Sequence, residues 1–151
     1  MQTTSFELSK ELDKKISIAS DFKKSYFFWV ISPEFDGEAK LLPKTNIKSL
    51  MELGCKLTLY PAYTLDEILE MLPDELEDDH VACSGNLKKF RRSFLFRKEI
   101  FRGEKGFFKI EYIPYQFDVE RPLPITFINK NPAEAAGQLL AWCIENGHIK
   151  L

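Results

Sequence analysis

The run Lys98-Glu-Ile-Phe-Arg102, Gly103-Glu-Lys-Gly106, Phe107-Phe-Lys-Ile-Glu-Tyr-Ile113 decides the fold class. Two segments rich in β-branched and aromatic residues flank a short segment with glycine at both ends, which reads as an antiparallel β-hairpin. Upstream, Tyr26-Phe-Phe-Trp-Val-Ile31 is apolar on both faces and stops at Ser32-Pro33, the pattern of a central strand. Shorter strands are expected around Ala39 to Leu42 and over Lys56 to Tyr60, where apolar and polar residues alternate. The segment Leu87 to Phe96 reads either as helix or as strand, and the acidic stretch Asp74 to Asp79 reads as loop.

Helices frame these strands. Leu8, Leu12 and Ile16 step by four behind Ser5 and predict an amphipathic helix over residues 5–16. Asn46 is the expected cap of one or two turns through Lys48 to Leu53, closed by Gly54. Thr64 and Glu67 have the spacing of a capping box ahead of Leu65, Ile68, Leu69 and Leu72, and Pro73 ends that helix. Asn131, Pro132 and Glu134 open a last helix that runs to Asn146 before Gly147, with Glu134 expected to complete a second capping box. An apolar helix stripe must be covered by another layer. The reading is therefore α+β: one domain over residues 1–151, with a mixed, mainly antiparallel sheet of about 4 to 6 strands and about three helices packed on it.

Composition narrows the class. A chain of 151 residues that is 44% hydrophobic and 29% charged buries a real core and has an ordinary globular surface. The first fifteen residues are too polar for a secretory signal, and Tyr26 to Ile31 is too short to cross a bilayer, so no membrane partner and a cytoplasmic location are expected. Cys55, Cys83 and Cys143 form an odd set without CxxC spacing, which argues against a disulfide framework or a zinc ribbon. A net charge of -2 removes any global pull toward nucleic acid, leaving that role to a local patch.

Three pieces together resemble small uncharacterised proteins encoded by phages and prophages. They are Ser5-Phe-Glu-Leu-Ser-Lys10 before Tyr26-Phe-Phe-Trp29, then Pro61-Ala-Tyr-Thr-Leu-Asp-Glu-Ile-Leu-Glu-Met-Leu-Pro73, and Asn131-Pro-Ala-Glu-Ala-Ala136 leading to Trp142 and Glu145-Asn-Gly147. The resemblance implies an accessory gene of a mobile element acting in the cytoplasm of a bacterial host. It covers less than half of the chain, and Asp74 to Lys130 carries no part of it.

Asp78-Asp79-His80-Val-Ala-Cys83 gathers two carboxylates, an imidazole and a thiol. A structural zinc needs four ligands, and the spacing supplies no partners for His80 and Cys83, so a polar entry into a strand is the simpler reading. In a strand, residues three apart point to opposite faces, which also separates Cys83 from His80 as nucleophile and base. Asp66, Glu67, Glu70 and Asp74 read as a cap and a solvated face. Gly103 to Gly106 lacks the spacing of a phosphate loop. No catalytic residue, metal or cofactor is called for.

Charge segregation is the more informative signal. Between Lys56 and Lys88 stand eight carboxylates and no Lys or Arg, whereas Lys88 to Lys109 holds nine bases against Glu99 and Glu104. The two segments either complement each other within the fold or leave a basic, Phe-bearing strand surface for a partner. The expected partner-facing residues are Lys88, Lys89, Arg91, Arg92, Arg97, Lys98 and Arg102, for an acidic protein, nucleic acid or a small anionic ligand. The expected function is a non-enzymatic accessory protein that binds a host or phage macromolecule, or sequesters a small anionic ligand, and so modulates host defence. The alternative is an enzyme acting on nucleotides or nucleic acid, with Asp78, Asp79 and His80 beside the basic segment.

Overall fold

Leu8, Leu12 and Ile16 form the buried stripe of helix α1 (Phe6–Ile16), as their spacing requires. The computed structural model describes residues 2–16, 25–83, 89–115 and 123–149, and the side chains within those ranges except at 78–83 and 89–94. Strand β1 (Phe27–Ile31) lies between β2 (Lys40–Pro43) and β3 (Thr58–Ala62), with Trp29 opposite Leu41 on one side and Tyr60 on the other. Its doubly apolar sequence suits that central place. Helix α2 (Lys44–Glu52) corrects one expectation: Pro43, not Asn46, is its N-cap. The helix begins where the β1–β2 ladder ends, with Lys44 N–H donating to Tyr26 O at 2.9 Å, so Asn46 falls inside it.

Helix α3 (Leu65–Met71) carries the expected capping box, in which Thr64 N–H donates to Glu67 Oε2 at 2.7 Å and Glu67 N–H donates to Thr64 Oγ1 at 3.4 Å. The next strands are β4 (Glu75–Cys83), β5 (Lys89–Arg102), β6 (Phe108–Pro114) and β7 (Ile125–Asn129), ordered β4-β5-β6-β7 in a second antiparallel sheet. The Lys98 to Ile113 hairpin is present as read, with Phe101 opposite Lys109.

The acidic stretch from Glu75 onward is strand rather than loop, because a continuous antiparallel ladder to β5, from Glu75 opposite Arg97 to Cys83 opposite Lys89, outweighs the low strand propensity of Asp and Glu. Lys89 to Phe96 resolves as strand, while Leu87 and Lys88 lie outside the described residues. The segment Ile125 to Asn129, hidden between prolines and a helix cap in the sequence, is strand β7.

Helix α4 (Pro132–Glu145) begins at Asn131, whose Oδ1 accepts from Ala133 N–H at 3.0 Å. Glu134 does not close a second capping box. Its carboxylate accepts from Ser5 N–H at 2.8 Å and Ser5 Oγ–H at 2.9 Å, because the N-terminal segment arrives beside it and offers two donors at once. That segment joins the three-stranded sheet to α4. Thr4 N–H donates to Tyr63 O at 2.9 Å, Tyr63 N–H to Thr4 Oγ1 at 3.1 Å, Trp29 Nε1–H to Thr4 O at 3.0 Å and Asn131 Nδ2–H to Thr3 O at 2.7 Å. The core collects the stripes of α1, α3 and α4 against Phe96, Ile110 and Tyr112 from one face of the four-stranded sheet. Burial there pushes the Tyr112 phenol well above its usual pKa. The chain is thus α+β, and among the described residues no helix is long and apolar enough to cross a membrane.

Candidate anionic-partner interface

The register of β4 on β5 decides where the charges meet. It runs from Glu75 opposite Arg97 to Cys83 opposite Lys89. Strand β6 pairs with β5 only from Phe96 to Arg102, so among the described residues Lys89 to Leu95 has β4 as its sole strand neighbour. Those seven residues make a two-stranded arm about 23 Å long at the usual rise per residue.

At the base of the arm, Glu75, Glu77, Asp78 and Asp79 lie opposite Arg97, Leu95, Phe94 and Ser93. Toward the tip, Lys89, Arg91 and Arg92 lie opposite Cys83, Val81 and His80, and no carboxylate stands in the ladder. Along the register, Glu75 alone of these carboxylates faces a base, and the basic residues toward the tip face no carboxylate. Arg91 and Arg92 are adjacent along the strand and fall on opposite faces of the ladder.

Of the other expected contact residues, Arg97 is already engaged. Its guanidinium lies 2.7 Å from Glu99 Oε1 and 5.7 Å from the centre of the Tyr115 ring. Tyr115 OH donates to Glu75 Oε1 at 2.6 Å, and that bond raises the phenol pKa. On the same face Glu99 stands opposite Glu111, whose carboxylate is 2.9 Å from Lys109 Nζ and accepts from Thr126 Oγ1–H at 2.8 Å. Two cations and a hydroxyl thus hold two facing carboxylates, and Glu111 is only 5% exposed. Nothing local in the sequence marks Glu111, because it is a cross-strand pair that selects it. Arg102 is exposed over the Phe108 ring, ten residues and roughly 33 Å along β5 from Arg92, so the fold does not bring the expected set into one patch.

Lys98 is turned away from any partner. Its side chain is 12% exposed, and Nζ donates to Leu72 O at 2.9 Å and Leu69 O at 3.3 Å while lying 3.0 Å from Asp74 Oδ1. A cation at the C-terminal end of α3 satisfies carbonyls that the helix leaves open and complements its dipole. Lys98→Ala should cost about 1–3 kcal/mol through those unsatisfied carbonyls. Asp74→Asn should cost under about 1 kcal/mol, because the Asp74 side chain is 96% exposed and its ion pair is screened by water. Urea melts of the two variants check this ordering, and equal losses would contradict the assigned role.

Within β4, His80 and Cys83 are three positions apart in a continuous strand and so fall on opposite faces. A cleft of about 670 Å³ lies where Tyr26, Phe27 and Pro132 meet α3, but Asp66, Glu67 and Glu70 line it and would repel an anion. No protein-family model, curated protein or solved structure matches the chain.

Proposed function

We propose that this chain is a non-enzymatic binding protein whose β4–β5 arm contacts a polyanionic macromolecule through its tip. The observation that supports this is the register, which leaves Lys89, Arg91 and Arg92 without a facing carboxylate on a two-stranded ribbon. A ribbon of that width enters the major groove of duplex DNA, and cations on both of its faces meet phosphates on both groove walls. Nucleic acid is accordingly the partner favoured over an acidic protein, and a small anionic ligand has less support because the arm is a ridge rather than a pocket. The setting is the one the phage-protein resemblance implies, an accessory protein in the cytoplasm of a bacterial host that alters host defence.

The test is fluorescence anisotropy with a duplex DNA across a salt series. The reading expects salt-sensitive binding that falls at least about 100-fold in the triple variant Lys89→Glu, Arg91→Glu, Arg92→Glu, with the salt slope reduced by about 2 to 3. Arg97→Gln should instead leave the slope nearly unchanged, because its charge is already consumed by Glu99. A folded triple variant that binds with the original slope would move the contact off the arm. Wild-type protein that ignores duplex DNA but binds an acidic protein with the same arm dependence would change the partner class.

A further inference from the structure

Natural sheets protect their edges, because an edge strand offers a row of unpaired N–H and C=O groups to any other strand. The described strands leave four edges: β2 and β3 in the three-stranded sheet, β4 and β7 in the other. Strand β2 carries Lys40 and Pro43, β3 carries Pro61, and β4 carries Glu75, Glu77, Asp78 and Asp79. Each of these is a recognised device against edge pairing. Strand β7, Ile125-Thr-Phe-Ile-Asn129, has no charge and no proline.

The same edge exposes large apolar side chains. Ile128 is 56% exposed and stands in one row with Lys109 and the exposed Phe101, while Leu123, just before the strand, is 85% exposed. From these observations we infer that β7 is a homodimer edge, pairing antiparallel with β7 of a second copy to make one continuous eight-stranded sheet.

A strand that pairs with itself across a two-fold axis sets every residue near the axis against its own kind or a near neighbour. Any charge there would meet a like charge, and among the described edge strands β7 is the one free of charge and proline together. Centred on Phe127, the pairing sets Ile128 beside Thr126 of the other copy and brings the two Ile128 side chains into diagonal reach. The neighbouring rows also avoid like charge. The row through Lys109 runs into the partner's row through Glu111, separated by about three strand spacings, or roughly 14 Å. The edge of β4 cannot substitute, since its carboxylates would face one another. This inference is independent of the arm as a binding element.

The test uses the full chain in light scattering coupled to gel filtration, with hydrogen exchange read over Ile125 to Asn129. The expected mass is twice 17.6 kDa. Amide protection in β7 should rise with protein concentration. Ile128→Lys places like charges beside the axis and should return the mass to a single chain that still unfolds cooperatively, at a melting temperature no longer dependent on protein concentration. Thr126→Lys, at the position facing Ile128 in the pair, should do the same and serves should Ile128→Lys fail to fold. Leu53→Lys, on the exposed end of α2, should leave the dimer intact. A single-chain mass for the wild type at every concentration would overturn the inference. So would a dimer that persists in both β7 variants, or open-ended assemblies larger than a dimer, which require pairing with a different edge.

Discussion

Phe96→Ala lowers the unfolding free energy by about 3–5 kcal/mol, a large share of the roughly 5–15 kcal/mol available to a domain of this kind. Phe96 is fully buried and stands where β5 changes partners, opposite Leu76 of β4 and Pro114 of β6. Its ring belongs to the same cluster as Ile68, Leu72, Ile110 and Tyr112. Truncation removes the transfer energy of the ring and leaves a cavity between two ladders and α3, elements tied by backbone hydrogen bonds that resist collapse. Leu95→Ala, one residue away, should stay within about 0.5 kcal/mol of wild type, because alternation sends Leu95 to the open face, where it is 41% exposed. The midpoint of urea denaturation measures both. Comparable losses at the two positions would show that the sheet is covered on both faces.

Gly137→Ala destabilises the fold by about 1–2 kcal/mol, although alanine at an ordinary helix site stabilises by about 1 kcal/mol. A Cβ at position 137 would sit 2.7 Å from Leu8 Cδ2 and 3.0 Å from Thr4 Cγ2. Neither neighbour yields freely. Leu8 is in the core, and Thr4 is fixed through its hydroxyl, which accepts from Tyr63 N–H and lies 2.7 Å from Ser9 Oγ. Gly137→Val adds two further methyl groups at the same contact and should cost about 3 kcal/mol or more. Combining Gly137→Ala with Leu8→Ala should recover part of the loss, a coupling that thermal melts of the double-mutant cycle measure. A Gly137→Ala protein more stable than wild type would mean that α1 and α4 do not touch at this point.

Local signals hold where they close over a few residues. The Thr64 capping box, the Asn131 cap and the Gly103 to Gly106 turn each depend on chemistry within one turn of chain, and each stands where the residues place it. Local cues yield where a long-range partner competes. Asn46 is a good cap by type, yet the β1–β2 ladder fixed the helix start at Lys44. Glu134 has capping-box spacing, yet Ser5, 129 residues away, offered it two donors.

The candidate site divides the same way. The sequence by itself determined that acids and bases are segregated, since that is composition along the chain, and it determined the α+β class through periodicity and caps. Only the tertiary structure decided that the acidic segment is a strand lying against the basic one, which sets Glu75 opposite Arg97 at the base of the arm and Val81 opposite Arg91 toward its tip. It alone turned Lys98 inward onto α3 and set Glu111 opposite Glu99. The physical reason is that register and cross-strand partners are set by long-range pairing. Local propensity fixes which residues can form a strand, while the energy that selects a partner for each charge comes from residues far away in sequence.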